Sequence, residues 1–141
     1  YGPRQDPNGE AGVVAVFSSR LLEGEPLTIY GDGMQTRDYV YAGDVARANL
    51  LLTTTPLPDP VSVDDVAFNV ATGEETSVVK LAETLLKAAG RDVELQHAPP
   101  RKGEVLRSCL RTEKLRALGW APEVSLEQGL GNTYQHIAQE I

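Results

Sequence analysis

Segments with helical periodicity alternate with shorter β-prone segments along this chain, and glycines stand where the helices should end. Apolar residues recur at helical spacing over 12–22, and Gly24 follows as a stop signal. The next run, 26–30, is β-prone and is closed by a glycine turn at 31–33. This alternation predicts an α/β fold, whose strands are too few and too short for a complete doubly wound sheet.

The same rules predict the remaining elements. Four further helices are expected: one opened by Gly43 with Asp44 as its N-cap, one capped by Ser77 and ended by Gly90, a short one over 112–118, and a final one begun by a capping box of Ser125 and Gln128. Further strands are predicted at 38–41, 66–70 and 93–96, and 53–65 is expected to be a surface connection. The pattern thus predicts about five helices and several short strands.

Composition excludes several classes of function. The 141 residues carry a formal charge of -7, which opposes nucleic-acid binding, and no apolar stretch approaches a membrane span, so we expect neither partner and a cytoplasmic location. The single cysteine, Cys109, is expected to be a small packed residue. His97 and His136 have no ligand spacing around them, so no metal site is predicted.

Arg37 stands out because it follows the glycine turn and begins the next predicted strand. An arginine fixed at the base of a tight turn can offer a planar pair of donors to a phosphate. From these residues alone, a surface arginine paired with Asp32 or Asp38 is the favoured interpretation. The spacing therefore marks Arg37 as a candidate and leaves its role undecided.

The segment Gly-Asp-Gly-x-x-x-Arg-Asp-Tyr-Val-Tyr at 31–41, followed by Asp-Val-Ala at 44–46, resembles a hallmark of the extended short-chain dehydrogenase/reductase family. This family includes the NAD-dependent nucleotide-sugar 4-epimerases and 4,6-dehydratases. The resemblance implies that Arg37 contacts the substrate diphosphate and that Thr28 and Tyr30 lie along the nucleotide base. Without it, Tyr30 would be interpreted as an ordinary half-buried strand tyrosine.

A second segment, Pro-Pro-Arg-Lys-Gly-Glu at 99–104, resembles the Arg-x-Gly-Asp/Glu loop of the same family. The resemblance implies that Arg101 makes a second contact to the diphosphate and that Glu104 accepts hydrogen bonds from the ribose. This division is chemically sensible, because a guanidinium neutralises oxyanions and a carboxylate accepts from vicinal hydroxyls. A charged surface turn is the alternative from composition.

Both ends of the chain extend the resemblance. The opening 1–14 resembles the 4-epimerase branch, where this segment reaches the substrate phosphate through its backbone and the next helix N-terminus, which implicates Val13. The Leu-Gly-Trp-x-Pro run at 118–122 is also typical of the family, and Trp120 is expected to close a small hydrophobic cluster. The resemblance covers essentially the whole chain.

Two family elements are absent from the sequence. There is no Gly-rich turn between a strand and a helix, since the pair at Gly31 and Gly33 lacks a third glycine, and no tyrosine has a lysine four residues later. We expect both elements upstream of Tyr1, so that 1–141 is the substrate-binding domain with the last elements of the NAD(P)-binding fold. The Rossmann cofactor half would then be missing. NAD is expected in the parent enzyme, and this chain alone is expected to bind no cofactor and to carry no catalytic residue or activity.

The resemblance implies a homodimeric parent enzyme that binds a UDP-hexose and inverts C4, as in UDP-glucose 4-epimerase. A dTDP- or UDP-sugar 4,6-dehydratase and a UDP-glucuronate decarboxylase would use nearly the same anchors and stay open as alternatives. A non-catalytic module that binds nucleotide sugars is an alternative of another class.

Overall fold

A computed structural model describes residues 1–6, 12–57 and 59–140. This part of the chain forms six helices and four short strands, which confirms the mixed α/β class and adds one short helix to the five predicted. The helices are α1 Val13–Glu23, α2 Ala42–Thr54, α3 Val63–Val66, α4 Val78–Ala89, α5 Glu113–Arg116 and α6 Leu126–Glu140. The strands are β1 Leu27–Tyr30, β2 Thr36–Arg37, β3 Thr76–Ser77 and β4 Leu95–Ala98.

The main core lies between helices α1, α4 and α6 and the parallel pair β1–β4, in which Leu27 is opposite Leu95. Its buried members are all apolar or aromatic: Val14, Phe17, Leu21, Leu27, Ile29, Leu81, Ala82, Leu85, Leu130 and Tyr134. Truncating one such leucine to alanine costs about 2–5 kcal/mol of stability. This core fixes the C-terminal end of β1, from which the glycine turn departs.

Glycines end the first and fourth helices as predicted. Gly24 and Gly90 adopt the left-handed conformation, with φ of 73° and 61°, and their N–H groups close the last helical turn. Ser77 caps α4 as predicted, because its hydroxyl accepts a hydrogen bond from the Lys80 N–H at 3.1 Å. Ser125 likewise accepts from the Gln128 N–H at 3.3 Å at the start of α6.

A second, smaller cluster contains Ala48, Leu115 and Trp120, with Phe68 and Val70 packed against it. The predicted structural role of Trp120 is confirmed, since its ring is buried in this cluster. Its indole N–H donates to the carbonyl oxygen of Asp44 at 3.1 Å. The cluster thereby joins α2 to the segment that leads into α6.

Two predicted strands are wrong and one is displaced. The segment 38–41 is irregular, and the antiparallel pairing with β3 is made by β2, immediately before it. The alternation of Tyr39 and Tyr41 has another cause: both rings make edge contacts to the ring of Tyr1, at centroid distances of 6.4 and 5.7 Å. The segment 66–70 is the end of α3 and an irregular stretch, and the last strand begins at Leu95, not at residue 93.

The prediction that Asp44 is the N-cap of α2 is also wrong. Helix α2 begins at Ala42, its N-cap is Tyr41, and Asp44 lies in its first turn. The Asp44 carboxylate is buried and accepts from the N–H groups of Glu123 and Val124, at 3.2–3.3 Å, as well as pairing with Arg47. It therefore ties α2 to the chain entering α6.

Cys109 is exposed, which corrects the prediction that it is packed, and its thiol lies 3.5 Å from a carboxylate oxygen of Asp38. His97 is exposed, and its Nδ1 lies 2.7 Å from the carbonyl oxygen of Gly31. In the described residues, no group of three or more His, Cys, Asp or Glu side chains is arranged to hold a metal ion. Nor does any helix in this part of the chain have the length and apolar character needed to cross a membrane.

Candidate functional site

A cavity of about 480 Å³ lies between α1, β1 and the loops at 31–35 and 101–104. All six residues that the sequence singled out for substrate binding contribute to its lining: Val13, Thr28, Tyr30, Arg37, Arg101 and Glu104. They come from four separate segments, and the fold brings them together on one wall or another of this cavity. Its size is within the range of pockets that hold small ligands.

Strand β1 supplies two of these residues through the alternation of a half-buried strand. Leu27 and Ile29 point into the core and are fully buried, whereas Thr28 and Tyr30 are half-buried and line the cavity. The two side chains are therefore held side by side on one face, with a rigid core behind them.

The turn after β1 depends on Gly33. Its φ is +73°, and a Cβ atom there would lie 2.4 Å from Cγ2 of Val79 and 2.6 Å from Cγ2 of Ile29. Only glycine combines that dihedral angle with so close an approach to the core. The turn is also fastened by the Gly31 N–H, which donates to the carbonyl oxygen of Ala98 at 2.9 Å. It directs the next residues toward the second arginine loop.

Arg37 is held against that loop. Its Nη1 donates to the carbonyl oxygens of Thr36 at 2.8 Å and Val105 at 2.6 Å, and its Nη2 lies 4.0 Å from Oε1 of Glu104. Asp32 accepts instead from the Met34 N–H at 3.0 Å. The partner of Arg37 in the described residues is thus a member of the second loop, which joins the two predicted binding segments.

The other candidate partner of Arg37, Asp38, belongs to a different contact. Its carboxylate accepts from the N–H groups of Thr72 and Gly73, both at 2.8 Å, and from the Thr72 hydroxyl at 2.6 Å. Burial opposes its ionisation, but these hydrogen bonds outweigh burial and hold the pKa of Asp38 below its ordinary value. Asp38 therefore anchors the chain just after Arg37 to the 72–73 turn.

Arg101 covers the ring of Tyr30. The guanidinium carbon lies 3.9 Å from the ring centroid, within the range of a cation–π contact. The residue is exposed, so the contact is made at the rim of the cavity. The aromatic face of Tyr30 therefore lies next to a guanidinium that can turn toward an anion.

The side chains that line the cavity carry a net positive charge, although the chain as a whole has a net negative charge. Among the described residues that line it, the charged side chains are Arg20, Arg37, Arg101 and Glu104, so that three positive charges face one negative charge. The sequence as a whole carries -7. A local excess of arginine in such a chain favours a ligand with a small number of negative charges, such as a diphosphate.

Arg20, Gln35 and Tyr39 are among the residues that line the cavity but were not singled out from the sequence. Arg20 donates to the carbonyl oxygen of Pro26 at 3.3 Å and lies 3.6 Å from Glu25. Burial raises the pKa of the Tyr39 phenol, and the charge of Arg37 opposes this effect. No local pattern marks these residues, because their position depends on how distant segments pack.

The described residues do not offer a dinucleotide phosphate loop. Gly31 and Gly33 lie in a turn that leads into strand β2, whereas that loop requires a glycine turn opening a helix. The opening segment that resembles the 4-epimerase branch lies in part, at 7–11, outside the described residues.

Comparisons with known proteins agree with this geometry. The model of the NAD dependent epimerase/dehydratase family matches residues 1–71. The UDP-glucose 4-epimerase of Mycolicibacterium smegmatis is 44% identical over 136 residues, which are 96% of this chain and 42% of that protein. A protein of Methanocaldococcus jannaschii described as a putative UDP-glucose 4-epimerase is 42% identical over 92% of this chain and 40% of its own length.

Among solved structures, the UDP-glucose 4-epimerase of Thermotoga maritima, crystallised with UDP-glucose, superposes with a TM-score of 0.88 at 47% identity. The match covers 99% of this chain and 43% of that one. The present chain spans about two fifths of the length of the curated relatives it matches. The resemblance noted from residues 31–41 and 99–104 is confirmed. The chain belongs to the NAD dependent epimerase/dehydratase family.

Proposed function

We propose that this chain is the nucleotide-sugar-binding part of an NAD-dependent UDP-glucose 4-epimerase. The observation that carries the proposal is the convergence of Val13, Thr28, Tyr30, Arg37, Arg101 and Glu104 on one cavity with an excess of arginine. The similarity to three UDP-glucose 4-epimerases supports the choice of substrate. On this proposal, residues 1–141 hold the nucleotide and include the last elements of the cofactor-binding fold.

In the proposed complex, Arg37 and Arg101 bind the diphosphate. The Arg37 side chain is about one-third exposed, and its Nη1 is occupied by backbone carbonyls, so its orientation is fixed before a ligand arrives. A guanidinium held in this way loses little conformational entropy on binding an oxyanion. Arg101 is exposed and adjusts its position, which gives the pair one rigid and one adaptable member.

The N-terminus of α1 supports the same ligand. Helix α1 has an extended glycine, Gly12, as its N-cap, no side-chain cap and no acidic residue in its first turn. Among the described residues no side chain caps the first N–H groups of α1, and these groups and the helix dipole favour an anion close to Val13, which lines the cavity.

Tyr30 and Thr28 hold the base. The ring of Tyr30 is half-buried on the strand face opposite Leu27 and Ile29, and aromatic faces stack on planar bases. In the ligand-free chain Arg101 covers that ring at 3.9 Å. A stacking base replaces this contact, and the released guanidinium turns toward the diphosphate. Base binding and phosphate binding are thereby linked.

These contacts bind the part of the substrate remote from the reacting carbon. Such binding energy positions C4 while the hexose stays free to rotate. In the parent enzyme, NAD supplies the hydride chemistry; the residues of this chain bind and orient the nucleotide. The homodimeric state of the parent and its cytoplasmic location remain predictions.

Isothermal titration calorimetry tests the proposal. We expect the chain to bind UDP and UDP-glucose in a 1:1 ratio and uridine much more weakly, because uridine lacks the diphosphate. Comparison with dTDP-glucose separates the UDP-sugar prediction from that for a dTDP-sugar dehydratase. Failure to bind any of these nucleotides would contradict the proposal.

A coupled assay separates binding from catalysis. With added NAD and UDP-galactose, we expect no formation of UDP-glucose by the 141-residue chain, since the sequence has no Tyr-x-x-x-Lys pair and no Gly-rich turn. Turnover by a preparation free of other epimerases would show that the chain contains catalytic groups that the proposal does not assign.

A further inference from the structure

Gln35 is a buried polar residue in the wall of the cavity. Its relative exposure is 7%, although it lies in a loop between β1 and β2. Burying a side-chain amide is unfavourable unless its polar atoms are hydrogen-bonded. The contacts of this amide therefore indicate why the position holds a glutamine.

The amide nitrogen of Gln35 makes two hydrogen bonds. Nε2 donates to the carbonyl oxygen of Tyr30 at 3.1 Å and to Oε1 of Glu104 at 3.3 Å. Both partners are acceptors, so the amide orientation is fixed by chemistry: the reverse orientation would set the amide oxygen against two other oxygens. One side chain thus connects the last residue of β1 to the acidic residue of the second loop.

The Gln35 contact lies within a wider attachment of the two loops. The Thr36 N–H donates to the carbonyl oxygen of Leu106 at 2.8 Å, and the Ser108 N–H donates to the carbonyl oxygen of Thr36 at 3.2 Å. These backbone bonds hold the second loop beside the first. They do not fix the direction of the Glu104 carboxylate, which depends on neighbouring side chains. Nε2 of Gln35 lies 3.3 Å from Oε1 of Glu104, closer than Nη2 of Arg37 at 4.0 Å.

We infer that Gln35 is a positioning residue for ribose recognition: it holds Oε1 of Glu104 so that the carboxylate presents Oε2 to the vicinal hydroxyls of the nucleoside. The inference rests on the proposed function, because it assigns Glu104 to the ribose. It predicts that Gln35, acting through its contact with Glu104, controls discrimination between ribose and 2′-deoxyribose.

The test compares affinities for UDP and 2′-deoxy-UDP. In the wild-type chain we expect UDP to bind about tenfold more tightly, because a hydrogen bond to a charged group is lost with the 2′-hydroxyl. Gln35→Met preserves side-chain length and removes both donors. We expect it to lower this preference to about twofold, since Glu104 is then free to turn away.

Gln96→Met is the matched control. Gln96 also donates to a glutamate, Glu94 at 2.9 Å, but it is exposed and is not among the residues that line the cavity. The control should keep the tenfold preference. In a Glu104→Ala background, Gln35→Met should change the preference no further, because the residue acts through Glu104.

The outcomes separate the inference from the proposed function. A wild-type preference for UDP that survives Gln35→Met would overturn the inference alone. Equal wild-type affinity for the two nucleotides would overturn the ribose role of Glu104 and the inference with it. No binding of either nucleotide would overturn the proposed function as well.

A second measurement keeps the inference testable if Gln35→Met fails to fold. In ¹H–¹⁵N spectra of the wild-type chain, the Gln35 side-chain amide should shift more with UDP than with 2′-deoxy-UDP, while that of Gln96 should not shift. Equal shifts of the Gln35 amide with both nucleotides would overturn the inference.

Discussion

Replacing Gly33 by alanine should destabilise the chain more than the same change at another glycine with positive φ. Gly33 has φ +73°, and the added Cβ would lie 2.4 Å from Val79 and 2.6 Å from Ile29. Gly90 has a similar φ of +61°, but no atom of the described residues would lie within 4 Å of a Cβ atom added there. Gly90→Ala is therefore the matched control. The two variants share the backbone strain and differ in the steric overlap.

The magnitudes follow from these distances. A non-glycine residue in the left-handed region costs about 1–2 kcal/mol, which applies to both variants. At position 33, both overlaps are about 1 Å or more inside the usual carbon–carbon contact of about 3.5–4.0 Å. Overpacking of this kind adds about 1–3 kcal/mol. We therefore expect losses of about 2–5 kcal/mol for Gly33→Ala and about 1–2 kcal/mol for Gly90→Ala.

Urea denaturation followed by circular dichroism measures both losses from the unfolding midpoints, provided that the m-values agree with that of the wild type. Because the turn leads into the segment that contains Gln35 and Arg37, Gly33→Ala should also weaken UDP binding, whereas Gly90→Ala should leave it unchanged. Equal destabilisation by the two substitutions would refute the argument that the turn is packed against the core.

Two further predictions concern carboxylates that accept backbone hydrogen bonds, the half-buried Asp38 and the buried Asp44. Since the pKa of Asp38 is lowered in the folded chain, its hydrogen bonds to Thr72 and Gly73 stabilise the fold above about pH 4, and this contribution is lost as the pH falls through the folded-state pKa. Asp38→Asn should therefore lose less stability than the wild type between about pH 5 and about pH 3 in urea titrations; an unchanged pH dependence would contradict this. Asp44→Ala leaves buried N–H groups unpaired and should cost about 2–4 kcal/mol in the same assay, while a loss under about 1 kcal/mol would show that the Asp44 contacts are dispensable.

The parts of the fold that could be predicted are those determined by local chemistry. Gly24 and Gly90 mark helix ends because a left-handed residue there costs glycine little, and Ser77 caps α4 because its hydroxyl reaches the N–H three residues on. The alternation of Thr28 and Tyr30 with core residues likewise follows from strand geometry within a single segment.

The wrong predictions concern features that depend on tertiary contacts. Tyr39 and Tyr41 alternate because they pack around Tyr1, and this spacing imitates that of a strand. Asp44 is of a residue type that often caps helices, but its carboxylate accepts from N–H groups 79 and 80 residues away. Nothing in the neighbouring sequence reveals a contact over that separation.

At the candidate site, too, the residues set by local sequence could be predicted and those set by tertiary contacts could not. Arg37 and Arg101 could be selected because each lies in a motif that resembles the family pattern, and the structure brings both to one cavity. Gln35 is two residues from Arg37 and was missed, because its importance depends on Glu104, 69 positions later. A polar residue just after a glycine turn is expected to be solvated, and only the packing of the second loop shows that Gln35 is buried.

Calorimetric titration of Arg37→Ala with UDP-glucose tests most directly whether Arg37 binds the substrate diphosphate. Arg111→Ala is the control for the loss of one positive charge, since its side chain is 91% exposed and lies outside the lining of the cavity. Hydrogen bonds to charged groups are worth about 1.5–3 kcal/mol, so Arg37→Ala should weaken binding by about 10–100-fold, and Arg111→Ala should leave it within about twofold of the wild type. Binding of UDP-glucose that is unchanged by Arg37→Ala would rule out this role of Arg37.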